Sequence, residues 1–173
     1  MIQELIDLRQ SIIEGRTDDA LEIIDDLEGM GRKSLLRNIK SYLVRMLIHL
    51  IKNEVEGRLT NSWAASIRES VLEIQDLNLM ENKKSRYIKP EEWDELLELA
   101  FDDAIAKSSG EIYNGAYKPF QLWEMVDVSE IMRRANLLIS LTYSLSEKDL
   151  RAQIYEEFSR LPGGEDWIVE RES

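Results

Sequence analysis

The sequence predicts an all-α protein, a single-domain bundle of about six or seven helices. Apolar residues recur at helical spacing in every long segment of the 173-residue chain, and no alternating run is long enough to predict a strand. The most apolar stretch, Ser34–Val55, carries apolar side chains all around the helix between Tyr42 and Ile51, as expected where neighbouring helices bury it. A chain of this length can bury a sizeable core. We therefore predict one helical domain over residues 1–161 and an acidic tail over residues 162–173.

The first predicted helix is amphipathic and ends near Gly15. Thr17 or Asp18 can cap a second helix, because either side chain can accept a hydrogen bond from a free backbone N–H. Gly29 and Gly31 then predict a turn that separates the second helix from the central one. The apolar positions of the first helix are Ile2, Leu5, Ile6, Leu8, Ile12 and Ile13. Those of the second are Leu21, Ile24 and Leu27.

Charge is distributed unevenly over this region. Residues 1–31 carry 2 basic and 9 acidic side chains, whereas residues 32–60 carry 7 basic and 2 acidic ones. If the chain folds back at the predicted turn, the acidic second helix lies antiparallel to the basic start of the central helix. We expect Asp19, Glu22 or Asp26 of the acidic helix to face Arg37 or Lys40 of the central helix.

The central helix is predicted to end at Gly57, and the next helix starts at Thr60, Asn61 or Ser62. Its apolar face indicates packing against the core rather than a ligand platform. The polar residues 78–89 that follow are typical of a connection. The residues of the apolar face are Trp63, Ile67, Val71 and Ile74.

Three further helix starts are visible in the C-terminal half. Pro90 suits a first helical turn, where its missing N–H costs nothing. Asp127 with Glu130 resembles a capping box, and Ser146 can cap a last helix. Residues 111–126 carry the highest aromatic density in the chain but show no helical period, so they are predicted to form a loop with one short helix.

The composition excludes several kinds of site. The chain has no cysteine, so neither a disulfide nor a thiolate metal site can form. Its one histidine, His49, rules out a multi-histidine site within a subunit and is not part of the Glu-x-x-His pattern of di-iron helical bundles. Phosphate-binding glycine loops and the G-x-S-x-G nucleophile motif are absent. The sequence therefore predicts no metal and no cofactor.

The net charge of −12 argues against nucleic acid as a partner, although contact through the basic segment 32–40 remains an alternative. The longest apolar run is too short to span a membrane and is interrupted by Arg45 and His49. No secretory signal is visible, so we expect a cytoplasmic location and no membrane partner.

One polar stripe crosses the central helix, with its members at steps of four and three residues on one face. Arg45 and His49 lie one turn apart and can meet the same neighbour. We predict that Arg45 is buried and pairs with Glu69 or Glu73, and that this pair fixes the register of two helices. An enzyme or small-molecule site around Arg45, His49 and Arg68 is the alternative. The stripe consists of Asn38, Tyr42, Arg45, His49 and Lys52.

The same region resembles a known family. The resemblance is carried by LVRMLIHL at Leu43–Leu50, by Ser62-Trp63 and Ile67-Arg68, and by Met30-Gly31-Arg32 after the acidic helix. These residues are similar to a bacterial, largely cyanobacterial, family of all-helical proteins known as domain of unknown function number twenty-nine.

The resemblance extends over residues 1–110, and Asn53 stands where many members carry a tryptophan. It implies a helical fold, supplies no established activity and no catalytic residue, and groups His49, Ser62, Trp63 and Arg68 in one structural unit.

The sequence thus favours a non-enzymatic protein-interaction module, and a homo-oligomer is one form that such a module can take. Its contact surface would be an apolar helix face or the aromatic segment 113–123. The polar cluster predicted to have either a functional or a structural role consists of Arg45, His49, Trp63 and Arg68.

Overall fold

The computed structural model describes residues 2–82 and 84–167. Within them the chain forms seven α-helices and no β-strand, apart from an isolated antiparallel bridge between Leu79 and Arg86. The predicted all-α fold of six or seven helices is therefore confirmed. The helices are α1 (Ile2–Ile13), α2 (Thr17–Glu56), α3 (Asn61–Asn78), α4 (Trp93–Glu111), α5 (Pro119–Met125), α6 (Val128–Ser144) and α7 (Glu147–Phe158).

The chain divides into two compact units, Met1–Asn38 and Ile39–Ser173, called here the N-terminal and the C-terminal unit. The N-terminal unit contains α1, a turn in which Gly15 adopts a φ of 71°, and the first half of α2. Among residues 2–38 only Ser11 and Ala20 are buried. The N-terminal unit thus has almost no core of its own.

Helix α2 is continuous from Thr17 to Glu56, so the turn predicted at Gly29–Gly31 does not form. The predicted hairpin of an acidic and a basic helix is therefore wrong, and Lys40 pairs with Asp103 of α4 at 2.9 Å instead. A glycine weakens a helix by about 1 kcal/mol relative to alanine, but it does not break one. The flanking residues are strong helix formers without proline, and they carry the helix through both glycines.

The C-terminal unit holds the core. Helix α3 packs against α6 and α7, and α4 packs against α5. The apolar residues of α2 from Ile39 onward are buried around most of the helix, as predicted for the central stretch. The largest fully buried side chains include Leu43, Met46, Leu47, Leu50, Ile51, Ile67, Ile74, Leu97, Phe101 and Phe158.

Three predicted helix starts are confirmed by their hydrogen bonds. The backbone N–H of Trp63 donates to Thr60 Oγ1 at 3.1 Å, and that of Glu130 donates to Asp127 Oδ1 at 3.1 Å. The N–H of Asp149 donates to Ser146 Oγ at 3.2 Å. Each side chain satisfies one of the free donors of a first helical turn.

The connection between α3 and α4 is fixed by a polar network around Tyr143. Its hydroxyl donates to the carbonyl of Ile88 (2.6 Å) and accepts from Trp93 Nε1 (2.5 Å) and Asn78 Nδ2 (2.9 Å). Asn78 Oδ1 in turn accepts from the N–H of Ile88 at 2.7 Å. Burial raises the pKa of Tyr143, which keeps the hydroxyl protonated and able to donate. Nothing in the sequence alone indicates this network.

The segment between α4 and α6 contains the predicted short helix, α5, but residues Ile112–Gly115, predicted as loop, form a turn of 3-10 helix. Tyr113, Asn114 and Gly115 all lie in the left-handed region, with φ of 49°, 56° and 75°. Side chains other than glycine adopt this region at a cost, so Tyr113 stores strain. Its ring packs edge-on against Tyr117, with centroids 5.8 Å apart.

A turn at Pro162–Gly164 closes the C-terminal unit. Asn53 Nδ2, fully buried, donates to the carbonyls of Arg58 (3.0 Å) and Pro162 (2.8 Å). A Cβ on Gly164 would lie 1.9 Å from the carbonyl oxygen of Phe158, so only glycine fits there. Trp167 stacks on Tyr155 with centroids 5.9 Å apart. Trp167 of the predicted acidic tail is therefore docked, whereas residues 168–173 of that tail lie outside the described residues.

Candidate functional site

Arg45 forms the predicted contact with α3. Its Nη2 donates to Glu69 Oε2 at 3.1 Å and to Ser66 Oγ at 3.5 Å. The two side chains of the ion pair are 42% and 55% exposed, however, so the pair lies at the surface and not in the interior as predicted. The pairing with Glu69 is confirmed, but an exposed pair contributes only about 0.2–1 kcal/mol to stability.

His49 lies one turn further along α2 in a different environment. Its ring is half-buried, and Nδ1 is buried without a hydrogen-bond partner. Burial lowers the pKa of His49 to about 4, with help from the charges of Lys52 and Arg45. Lys52 forms an ion pair with Glu111 of α4. At neutral pH the ring is therefore uncharged, and the nearby charges of Arg45 and Lys52 oppose its protonation.

Trp63 and Arg68 point to other neighbours. The guanidinium of Arg58 lies 4.9 Å from the centroid of the Trp63 ring. The guanidinium of Arg68 lies 5.8 Å from the ring centroid of Tyr155 on α7, and its Nε is buried without a hydrogen-bond partner. Both contacts have the geometry of cation–π interactions.

The four residues of the predicted cluster thus occupy separate surroundings. Arg45 contacts Glu69, the guanidinium of Arg68 lies over Tyr155, and the ring of Trp63 contacts the guanidinium of Arg58. None of the four lines any of the clefts described below. Among the residues that the structure describes, these four side chains therefore do not converge on a common cavity.

A concave groove lies between α4 and α6, and α5 closes it at one end. It consists of two adjoining cavities of about 900 and 500 Å³, which share Asp102 and Trp123. We call it the α4–α6 groove. Its apolar and aromatic lining is formed by Phe101, Ile105, Pro119, Phe120, Trp123, Val128 and Met132.

One wall of the α4–α6 groove is acidic. Asp94, Glu98 and Asp102 lie four residues apart on α4, and all three are exposed. The opposite wall contributes Arg133, whose guanidinium donates to both carboxylate oxygens of Glu130 at 2.7 and 2.9 Å. The hydrogen bonds from Arg133 are the main reason why the pKa of Glu130 is lowered to about 2. This acidic wall was not predicted, although the spacing of four residues between its carboxylates is visible in the sequence.

A further cleft of about 530 Å³ lies where the C-terminus of α6 meets α3. Gln75 Nε2 donates to the carbonyls of Thr142 (3.1 Å) and Leu145 (3.0 Å), and Arg86 donates to that of Thr142 (3.3 Å). These bonds satisfy the last carbonyls of α6 and favour a structural role for the cleft.

The second notable surface is the apolar face of α1. Ile2, Ile12 and Ile13 are 79%, 63% and 70% exposed, and Leu5 and Ile6 are also more than half exposed. The buried residue of α1 is a serine, Ser11, whose Oγ donates to the carbonyl of Asp7 at 2.8 Å. The helix predicted to be amphipathic thus forms, but five of its six large apolar side chains are exposed, and only Leu8 is partly buried.

Residues 7–129 match the family described as domain of unknown function DUF29. The match covers more than two thirds of the chain, from α1 to the first turn of α6. This protein belongs to the DUF29 family. The predicted resemblance is confirmed, and the family supplies no activity to transfer. No curated protein and no solved structure shows a significant match to the chain.

Two further observations bear on what this DUF29 protein can bind. Over residues 2–82 and 84–167, no group of three or more carboxylate or histidine side chains is arranged to hold a metal ion. No helix among the described residues is both long and apolar enough to cross a bilayer.

Proposed function

We propose that this DUF29 protein is a non-enzymatic protein-interaction module that associates with a second copy of itself through the apolar face of α1. The observation that carries the proposal is the outward position of five large aliphatic side chains on one twelve-residue helix. They are Ile2, Leu5, Ile6, Ile12 and Ile13.

The exposure of this face is costly in water. Burial of apolar surface is favourable by about 25 cal/mol per Å². Single exposed apolar residues are normal, but a contiguous patch of them typically marks an interaction site. Arg9 shares this face, and its aliphatic stem can add to the buried surface while its charge reaches water.

The size of the N-terminal unit favours a second copy as the occupant. A unit below about 40 residues is usually stable only with a disulfide, a metal or association with another subunit. This unit has 38 residues, two small buried side chains and no cysteine. Closed two-fold dimers are the commonest oligomers, and they pair the same patch of both subunits. Two copies of α1 would bury each other's aliphatic face in this way.

Sedimentation velocity on the full chain tests the proposal. We expect wild-type protein to sediment as a dimer and the variant Ile6→Gln/Ile13→Gln as a monomer with unchanged helical circular dichroism. Leu99→Gln is the matched control, because Leu99 is 55% exposed but lies on α4. We expect it to remain dimeric.

Two results would overturn self-association through α1. One is a wild-type protein that remains monomeric at about 100 μM, a concentration that favours association of even weak dimers. The other is a Leu99→Gln variant that dissociates as readily as the α1 variant, which would place the interface on α4.

The alternatives receive less support from the structure. A small-molecule or catalytic site around Arg45, His49 and Arg68 would need these side chains to converge on a cavity, and they have separate neighbours. Nucleic-acid contact through the basic segment 32–40 is opposed by the net charge of −12. A cytoplasmic location is our expectation for such a module.

A further inference from the structure

The α4–α6 groove carries unbalanced negative charge. Asp94, Glu98 and Asp102 form no ion pair with any residue that the structure describes, whereas the neighbouring Asp103 pairs with Lys40. Two cations among the described residues line the groove: Arg133 on the facing wall is already held by Glu130, and Lys118 lies at the α5 end, which Glu124 also lines. The wall therefore presents three carboxylates to whatever enters the groove.

The spacing of these carboxylates is regular. Because they lie four residues apart on α4, they rise one turn at a time and span about 12 Å. A second helix that lies along the groove can match this interval. If its basic residues are also four residues apart, each of them can lie opposite one carboxylate of α4. Charge and spacing together favour a basic helix over an isolated cation.

The floor and the end of the groove add an aromatic surface. The Trp123 ring meets Phe101 edge-on with centroids 4.9 Å apart, which fixes its orientation. Trp123 and Phe120 are nevertheless 43% and 64% exposed. Large rigid rings that are held in place but left accessible are typical anchors of peptide interfaces.

We propose that the α4–α6 groove binds an amphipathic basic helix of a partner protein. Lysine or arginine side chains four residues apart would pair with Asp94, Glu98 and Asp102. An adjacent stripe of large aliphatic side chains would pack on Trp123 and Phe120. This is the helix-in-groove mode of recognition. The site is independent of the α1 face, so its failure would leave self-association untouched.

Calorimetric titration of the full chain with synthetic peptides tests this inference. The probe is an amidated helical peptide with lysines four residues apart and an adjacent leucine stripe. One comparison peptide has each lysine replaced by glutamate, and another has the same composition in an order that destroys the helical face. We expect only the ordered lysine peptide to bind.

Protein variants locate the binding. Asp94→Asn/Glu98→Gln should weaken binding about tenfold, since two partly exposed ion pairs are lost. Glu91→Gln/Glu95→Gln removes the same charge from the same region without touching the groove, and it should change affinity less than about twofold. All four side chains are solvent-exposed or nearly so, so folding should be unaffected.

Phe120→Ala separates groove binding from simple charge attraction. Its side chain is largely exposed, and its removal should weaken the ordered lysine peptide about tenfold, an effect typical of an interface anchor. The inference is overturned if this variant binds as tightly as wild type, if the peptide with the disrupted order binds equally well, or if the two charge variants behave alike.

Discussion

The two units of this protein differ in whether the apolar face of an amphipathic helix is exposed or buried. In the N-terminal unit Ile13 is 70% exposed, whereas in the C-terminal unit Ile67 is completely buried. Both residues belong to clean amphipathic helices in the sequence. The difference teaches that helical periodicity indicates which face of a helix can be buried, but not whether the chain itself provides the surface that covers it.

The strongest test of this comparison is one truncation made in each unit. Leu47→Ala removes a fully buried side chain and should lower the free energy of unfolding by about 2–5 kcal/mol. Ile13→Ala should change it by less than about 0.5 kcal/mol in the monomer. Urea unfolding at low protein concentration provides both values. Equal losses would show that α1 is packed within the chain after all.

Glycines provide the second test. Gly164→Ala places a methyl group against the carbonyl of Phe158 and should destabilise the C-terminal unit by about 1–3 kcal/mol. Gly29→Ala meets open space inside helix α2 and should stabilise it by about 0.5–1 kcal/mol. Thermal unfolding followed by circular dichroism distinguishes the two. A destabilising Gly29→Ala would indicate that the exposed face of α2 is covered in solution.

His49 makes the stability of the C-terminal unit depend on pH. Its folded pKa of about 4 lies below the ordinary histidine value of 6.5, so the unfolded chain binds the proton more readily. The resulting stability is complete above about pH 6.5 and is lost as the pH falls towards 4, by about 1–2 kcal/mol after allowance for solvent screening of a half-exposed ring.

Urea unfolding of wild type and His49→Gln between these pH values measures this contribution. The difference between the two proteins isolates the histidine, because the carboxylates titrate in both. Parallel curves for wild type and variant would show that the ring is solvated.

The pair between Arg45 and Glu69 is expected to make a small contribution to stability. Because both side chains are partly exposed, Arg45→Ala should cost about 0.2–1 kcal/mol rather than the larger loss expected of a buried pair. A double-mutant cycle with Glu69→Ala measures the coupling. A coupling of several kcal/mol would mean that the pair is desolvated in solution, as it would be beneath a bound partner.

Local chemistry explains which parts of the fold could be predicted. Thr60, Asp127 and Ser146 were found as helix starts because each contacts a backbone N–H only three residues away. The continuity of α2 through Gly29 was missed because a glycine weakens a helix without ending it. Whether the helix continues depends on the summed helix propensities of the neighbouring residues.

The candidate sites were predictable only in part. Glu69 was found as a partner of Arg45 because its helix was the next one along the chain and α3 lies beside α2 at that point. The exposure of the pair was missed, because sequence does not reveal how deeply a stripe is covered. The α4–α6 groove joins Asp102 to Met132 and Trp123, and such a combination follows from tertiary packing alone.

The hydrogen bonds of Asn53 have a consequence for synthesis of the chain. Its amide donates to the carbonyl of Pro162, a residue 109 positions later, and Gly163 packs over Gly57 and Arg58. During translation, Asn53 leaves the ribosome long before this partner exists. The C-terminal unit therefore cannot complete its packing until Gly164 has emerged, so a ribosome that pauses earlier holds an unfinished core exposed to chaperones and proteases.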